Sequence, residues 1–324
     1  MSATPLLKIS DLSVQYFAGQ SSVRALDGVS LEIPSKGYSL GVVGESGSGK
    51  TTLGMSIMNA IERPGRISGG RIEYEGTDIL GMAKGELRNY RWKEVSMIFQ
   101  SAMNSLNPVK TISHPIAEVM REHLKVPKKE AYKRAKELLS EVRVDPSRAN
   151  AHPHEFSGGM RQRVVIALAL ALSPKLLIAD EPTSALDVVV QKQILGMLRE
   201  EVKNRGLSLI FITHEIPLLV GLVEKVAVMQ SGKIVELGPL EKVLSNPLHP
   251  YTEMLIWNLL TMRTSKESLK YTGLDAHSEG ATHPIQNACQ YSDRCKYVFQ
   301  RCKVESPVLT EAEHDRWVAC FKYE

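Results

Sequence analysis

Leu40-Gly41-Val42-Val43-Gly44-Glu45-Ser46-Gly47-Ser48-Gly49-Lys50-Thr51-Thr52 is the stretch whose reading decides the architecture. Leu40–Val43 is a short apolar run of strand length, and Gly44–Thr51 fits the pattern GxxxxGK(S/T). Its glycines let backbone N–H groups wrap an anion, and a helix beginning near Lys50 aims the positive end of its dipole at the same place. The pattern predicts that Lys50 reaches the β- and γ-phosphates of a nucleotide and that the Thr51 hydroxyl ligates Mg²⁺, with Thr52 following in the same turn. The plain alternative is a Gly/Ser-rich turn with no ligand. An apolar strand before it and a helix after it argue for the phosphate loop.

Working outward, Val95–Phe99, Leu176–Ala179, Leu209–Thr213 and Val226–Met229 are further short apolar runs bounded by turn or polar residues. Together with Leu40–Val43 they suit buried strands in a largely parallel sheet. Leu6–Tyr16, Arg24–Ile33 and Arg71–Tyr74 alternate more and are broken by Gly19, Gly28 and Gly37, as an antiparallel flank would be. Between 101 and 155 the pattern turns helical and charged (KKEAYKRAKELLSEVRV), which reads as an inserted helical subdomain. The expected fold class is therefore α/β: a P-loop NTPase core with an antiparallel β flank and a helical insertion. The expected organisation is a nucleotide-hydrolysing domain over 1–260, a polar linker over 261–284 and a small Cys-rich C-terminal lobe over 285–324.

Two other phrases carry chemistry. Leu176-Leu177-Ile178-Ala179-Asp180-Glu181 is an apolar strand ending in two carboxylates. Asp180 is placed to hold Mg²⁺, and Glu181 to polarise an attacking water. Alone, such a pair is a solvated strand end; the phosphate loop upstream changes that reading. In Phe156-Ser157-Gly158-Gly159-Met160-Arg161-Gln162-Arg163, Ser157 stands at a helix N-cap and the glycines leave N–H groups free for an anion, ahead of the apolar stretch Val164–Leu172.

That last phrase resembles the ABC signature LSGGQ, and the chain is identified as a member of the ABC ATPases. The resemblance implies ATP as the nucleotide, with Ser157, Gly158 and Gly159 serving the ATP of the opposite subunit. It implies that Gln100 is the Q-loop glutamine contacting Mg²⁺ and the membrane subunits, Ser184–Asp187 the D-loop, and His214 the switch histidine at the γ-phosphate. Gly44, Glu45, Ser46, Gly47, Ser48, Gly49, Lys50, Thr51 and Thr52 surround the phosphates, and Tyr16 is matched to the aromatic on adenine, with Phe17 adjacent as the other candidate. The phrases RPGRISGG, RWKEVSMIFQSAMNSLNP, HPHEFSGGMRQR, LLIADEPTSALDV and NPLHPYTEML narrow the likeness to the oligopeptide/dipeptide importers, from about residue 6 to the C-terminus. Met160 replaces the signature glutamine, as is usual in that branch. Some members of the branch carry oligosaccharides. The implied partners are a second ATPase subunit in a heterodimer, two membrane permeases and, indirectly, an extracytoplasmic substrate-binding protein; the implied location is the cytoplasmic face of the membrane, as a peripheral subunit.

Composition agrees with a folded globular protein: 324 residues, 43% hydrophobic, 23% charged. A net charge of +4 gives no reason to expect nucleic acid as a partner. The longest apolar run, Val164–Leu172, is too short to cross a membrane, and the first residues (MSATPLLKIS) do not read as a secretion signal. All four cysteines, Cys289, Cys295, Cys302 and Cys320, fall in the last 36 residues. In a cytoplasmic chain disulfides are disfavoured, yet the spacing lacks close CxxC pairs and fits a metal site and four reduced thiols equally. The resemblance implies a 4Fe–4S cluster here, with zinc as an alternative, although Ser292-Asp293 stands where a proline commonly precedes the Arg-Cys pair. Against an ABC ATPase of DNA repair or of the ribosome stand the lack of a coiled coil between Lys50 and Ser157 and the single set of motifs. A P-loop GTPase would need NKxD, and no Asn in the chain precedes a Lys.

Overall fold

A computed structural model describes residues 4–19, 21–100, 102–261 and 288–324. Along the chain, β1 (Leu7–Ala18) and β2 (Ser21–Ile33) precede β3 (Ser39–Val43) and α1 (Lys50–Ile57). Next come β4 (Gly65–Tyr74), the short β5 (Thr77–Asp78), α2 (Lys84–Asn89) and β6 (Val95–Ile98). The helices α3 (Ser113–Leu124), α4 (Lys128–Glu141) and α5 (Gly158–Ala169) lead to β7 (Leu176–Asp180), α6 (Val188–Arg205), β8 (Ser208–Thr213) and β9 (Lys225–Gln230). After β10 (Lys233–Pro239) lie α7 (Leu240–Ser245) and α8 (Pro250–Thr261), and the tail contributes β11 (Thr310–Glu313) and β12 (Arg316–Val318).

The strands form two sheets. One is antiparallel in the order β2-β1-β4-β5; the other has eight strands in the order β11-β12-β10-β9-β3-β8-β7-β6. In the larger sheet β3 runs parallel to both β8 and β9, and β7 and β6 continue in the same direction. Successive side chains of a strand point to opposite faces. Leu176, Ile178, Ile210 and Ile212 accordingly join a core with the antiparallel sheet and Leu53 and Ile57 of α1. Leu177, Ala179, Leu209 and Phe211 join the core under the helical side. Both faces are covered, so nearly every position is apolar, with Ser96 of β6 a buried exception, which is why these strands read as apolar runs. Each such Leu or Ile withdrawn from water contributes about 1.5–3 kcal/mol. The pair α3 and α4 packs into the second core through Ile116, Met120, Ala135 and Leu139.

Two expectations are revised. β4 begins at Gly65, six residues ahead of the expected Arg71, because Gly69 and Gly70 mute the strand signal while pairing with β1 supplies the ladder. At Gly70, with φ +87°, a Cβ would lie 2.5 Å from the Asp11 carbonyl oxygen, so the bulged ladder requires glycine there. The tail, in turn, is tied into the core sheet and does not stand outside it. β12 pairs antiparallel with β10, covering an edge that would otherwise leave backbone groups unpaired. Arg316 of β12 donates to the Glu236 carboxylate of β10 at 2.8 Å, with side-chain exposures of only 1% and 0%. Lys225 and Asp315 form a second ion pair across the same seam. The polar linker expected over 261–284 lies, apart from Thr261, outside the described residues.

Candidate nucleotide site

The phosphate-loop sequence leaves the C-terminal end of β3 and enters α1, at the edge where open α/β sheets bind their ligands. Its backbone is clamped on two sides. A Cβ on Gly44 would lie 2.1 Å from the Met229 carbonyl oxygen, and one on Gly49 (φ +100°) 2.4 Å from the Ala25 carbonyl oxygen. Backbone atoms cannot swing aside, so these glycines are fixed by close approach as well as by conformation. Gly49 caps α1 without a side-chain hydrogen bond, and Ser46, Gly47 and Thr51 are exposed at the loop's mouth. Lys50 is buried, and its ammonium donates to the Gly44 and Glu45 carbonyls at 2.8 Å each and to the Ser48 hydroxyl at 3.4 Å. Burial lowers the Lys50 pKa, while the nearby carboxylates of Glu181, Asp180 and Glu45 oppose the fall.

Three other strand ends converge on this loop. Asp180, the last residue of β7, is buried, and neither carboxylate oxygen makes a hydrogen bond of good geometry. Burial raises its pKa, with the adjacent Thr51 hydroxyl the largest opposing influence. An unpaired buried carboxylate is costly unless a cation joins it. Glu181 follows with φ +44°, its N–H donating to the Ile212 carbonyl at 2.9 Å. Its carboxylate is held from both sides. The Gln100 amide, just past β6, donates to one oxygen at 3.1 Å, and His214 Nδ1, just past β8, lies 2.8 Å from the other. The His214 side chain is 51% exposed and that of Glu181 15%, so the triad opens toward solvent at the loop. A water between Glu181 and a bound terminal phosphate would have its acceptor already oriented.

The signature phrase lies apart from this cluster, at the N-terminus of α5. Ser157 is the N-cap, exposed, with no side-chain capping bond, and the first N–H groups of α5 have no intrahelical partner. Gly158 has room for a Cβ, whose nearest neighbour is Leu186 at 3.5 Å; Gly159 has none, since Val190 of α6 would be 2.3 Å away. Asp187 of the D-loop caps α6 through the N–H groups of Val189 and Val190. Tyr16, on β1, is half-buried with its ring against Gly65, where a Cβ would lie 2.6 Å away. Phe17 instead carries the Arg66 guanidinium 4.4 Å above its ring.

Sequence reading missed two residues at the loop. Tyr251 and Arg294 both engage Glu45, from 206 and 249 positions along the chain. Nothing local marks them; only the fold brings them there. The four cysteines line one cavity, with His249, Tyr291 and Phe321 among its walls. Burial pushes the thiols of Cys289, Cys295 and Cys320 up, and the neighbouring cysteines push each further the same way. Among the described residues, no three His, Cys, Asp or Glu side chains are gathered closely enough to hold a single metal ion.

With this geometry in view, the comparisons with known proteins are decisive. Residues 26–184 match the ABC transporter family, and residues 235–302 match the oligopeptide/dipeptide transporter C-terminal region. The oligopeptide transport ATP-binding protein OppD of Bacillus subtilis is 44% identical over 284 residues, covering 87% of this chain and 79% of that protein. The chain belongs to the oligopeptide/dipeptide family of ABC transporter ATP-binding proteins. The dipeptide transport ATP-binding protein DppD of Escherichia coli K12 is 39% identical over 97% of this chain and 96% of its own length. Among solved structures, the ATP-binding cassette MJ0796, a dimer in a post-hydrolysis state bound to ADP and Pi, superposes with a TM-score of 0.65 at 27% identity, covering 72% of this chain and 98% of that one. Members of this family are ATPases whose hydrolysis is coupled to transport, and this chain is such an enzyme. Among the described residues no helix is long and apolar enough to cross a membrane.

Proposed function

We propose that this chain hydrolyses Mg-ATP to power the import of oligopeptides or dipeptides, as a peripheral subunit on the cytoplasmic side of two membrane permeases. The observation that carries the reading is the Glu181 carboxylate held between Gln100 and His214, beside Lys50 and the unpaired Asp180. Glu181 acts as the base or orienter for water, and His214 and Gln100 as its positioning partners near the γ-phosphate. Lys50 and the loop N–H groups between Gly44 and Thr52 take the phosphates, apart from that of Glu45, which donates to Tyr251. Asp180, Thr51 and Gln100 hold Mg²⁺; the orphaned charge of Asp180 beside the Thr51 hydroxyl fits a divalent cation. Tyr16 takes the adenine. Ser157, Gly158 and Gly159, at the N-terminus of α5, serve the ATP of a second ATPase subunit in a heterodimer. The named relatives are peptide transport proteins, which favours peptide cargo over oligosaccharide. Loss of the chain in cells that depend on labelled dipeptide uptake abolishes that uptake, and Lys50→Ala fails to restore it; uptake unchanged by either refutes the assignment.

The ATPase domain on this reading extends to about residue 260, and the module from 285 carries a 4Fe–4S cluster on Cys289, Cys295, Cys302 and Cys320. Support for this reading comes from the four cysteines lining one cavity. Protein purified without oxygen is brown, with about four iron atoms per chain. Colourless protein with stoichiometric zinc overturns the cluster.

A further inference from the structure

Glu45 stands second in the phosphate loop, and all three of its polar groups are taken. Its carbonyl accepts from the Lys50 ammonium at 2.8 Å. Its N–H donates to the Tyr251 hydroxyl of α8 at 2.8 Å, and its carboxylate receives both Arg294 guanidinium nitrogens, at 3.0 and 3.1 Å. Tyr251 has no exposed surface and is itself located from two sides. Its N–H donates to His249 Nδ1 at 3.1 Å, and its ring meets Tyr291 edge-on at 5.5 Å between centroids. The turn before α8 is pinned by Glu236, which accepts the N–H groups of Leu248 and His249 while Arg316 neutralises it. A continuous set of contacts thus runs from the tail strands to the first turn of the phosphate loop.

We propose that Tyr251 and Arg294 are positioning residues for ATP, the C-terminal region holding the phosphate loop in its binding geometry through Glu45. A loop that must order its N–H groups around phosphate loses affinity if it is left to find that geometry alone. Arg294 also keeps the Glu45 carboxylate paired, away from the phosphates it would repel. The proposal rests on reading Gly44–Thr51 as the phosphate site.

The test uses the full chain, with ATP binding measured by titration and hydrolysis by phosphate release. Arg294→Gln breaks a half-exposed bidentate pair and raises both Kd and KM for ATP roughly two- to fivefold, with kcat changed less than the binding constants. Tyr251→Phe leaves the Glu45 N–H without its acceptor and raises them roughly tenfold. In a Glu45→Gln background Arg294→Gln has little further effect, since the two act as one unit. Arg294→Lys recovers part of the loss. Unfolding temperature separates these effects from general destabilisation, which Arg294→Gln does not produce. Should Arg294→Gln leave Kd unchanged, or weaken it equally in both backgrounds, while Lys50→Ala still abolishes binding, the positioning role is wrong and the phosphate loop stands. ATP binding that survives Lys50→Ala removes the phosphate site and this inference with it.

Discussion

Replacing Glu181 by Gln isolates the chemical step from the binding of ATP. Glu181 offers one oxygen to the Gln100 amide at 3.1 Å and the other to His214 Nδ1 at 2.8 Å. Glutamine keeps both contacts with a single orientation: its oxygen accepts from Gln100 and its NH₂ donates to an unprotonated Nδ1. The backbone stays in place as well, through the Glu181 N–H bond to Ile212 and the Ser184 hydroxyl bond to the Glu181 carbonyl at 3.2 Å. Neither fold nor ATP affinity has reason to change. What disappears is the carboxylate that orients water and accepts its proton, a contribution of about 10²–10⁴ in rate. That factor corresponds to about 2.7–5.4 kcal/mol in the barrier. Phosphate release at saturating Mg-ATP, paired with a binding titration, reads both quantities. The expected result is hydrolysis slowed at least a hundredfold with Kd within about twofold of the parent. A rate lowered less than tenfold at unchanged affinity would refute the role given to Glu181.

The signature helix allows a clean separation of interface from packing. Gly158→Asp fits its own subunit and leaves monomer ATP binding intact, but it places a carboxylate toward the partner's phosphates and lowers dimer hydrolysis at least tenfold; unchanged dimer hydrolysis sinks the trans reading. Gly159→Ala instead strikes Val190 within the chain and costs about 1–3 kcal/mol of stability, readable by denaturant unfolding. Arg316→Met leaves Glu236 buried without its cation and destabilises by about 3 kcal/mol, the low end for a broken buried pair because two N–H donors remain. Adding Glu236→Gln to Arg316→Met restores part of that loss; a single variant as stable as the parent would show the seam to be dispensable.

The strands of the central sheet were legible because burial on both faces forces continuous apolar runs, and Leu40–Val43 or Leu209–Thr213 meet that demand without help from neighbours. Local sequence equally determines the glycine turn, the N-cap at Ser157 and the helix after Lys50, since each depends on residues a few positions apart. Order along the chain could place Gln100, Glu181 and His214 at the ends of three different strands. It could not say that two of them would meet on the carboxylate of the third, because that follows from the parallel order β8-β7-β6. The tail shows the same limit more sharply. Its cysteines announced some common purpose, but its attachment was decided by an open strand edge on β10 and a buried Glu236 awaiting a cation. Both needs arise only after the sheet has formed. The contacts of Tyr251 and Arg294 with Glu45 belong to the same class: they span more than 200 residues and match no periodicity. Pattern reports what a segment must bury. Which distant polar groups find each other is decided by the packing of those segments, where an unpaired charge or N–H costs more than a local turn can repay.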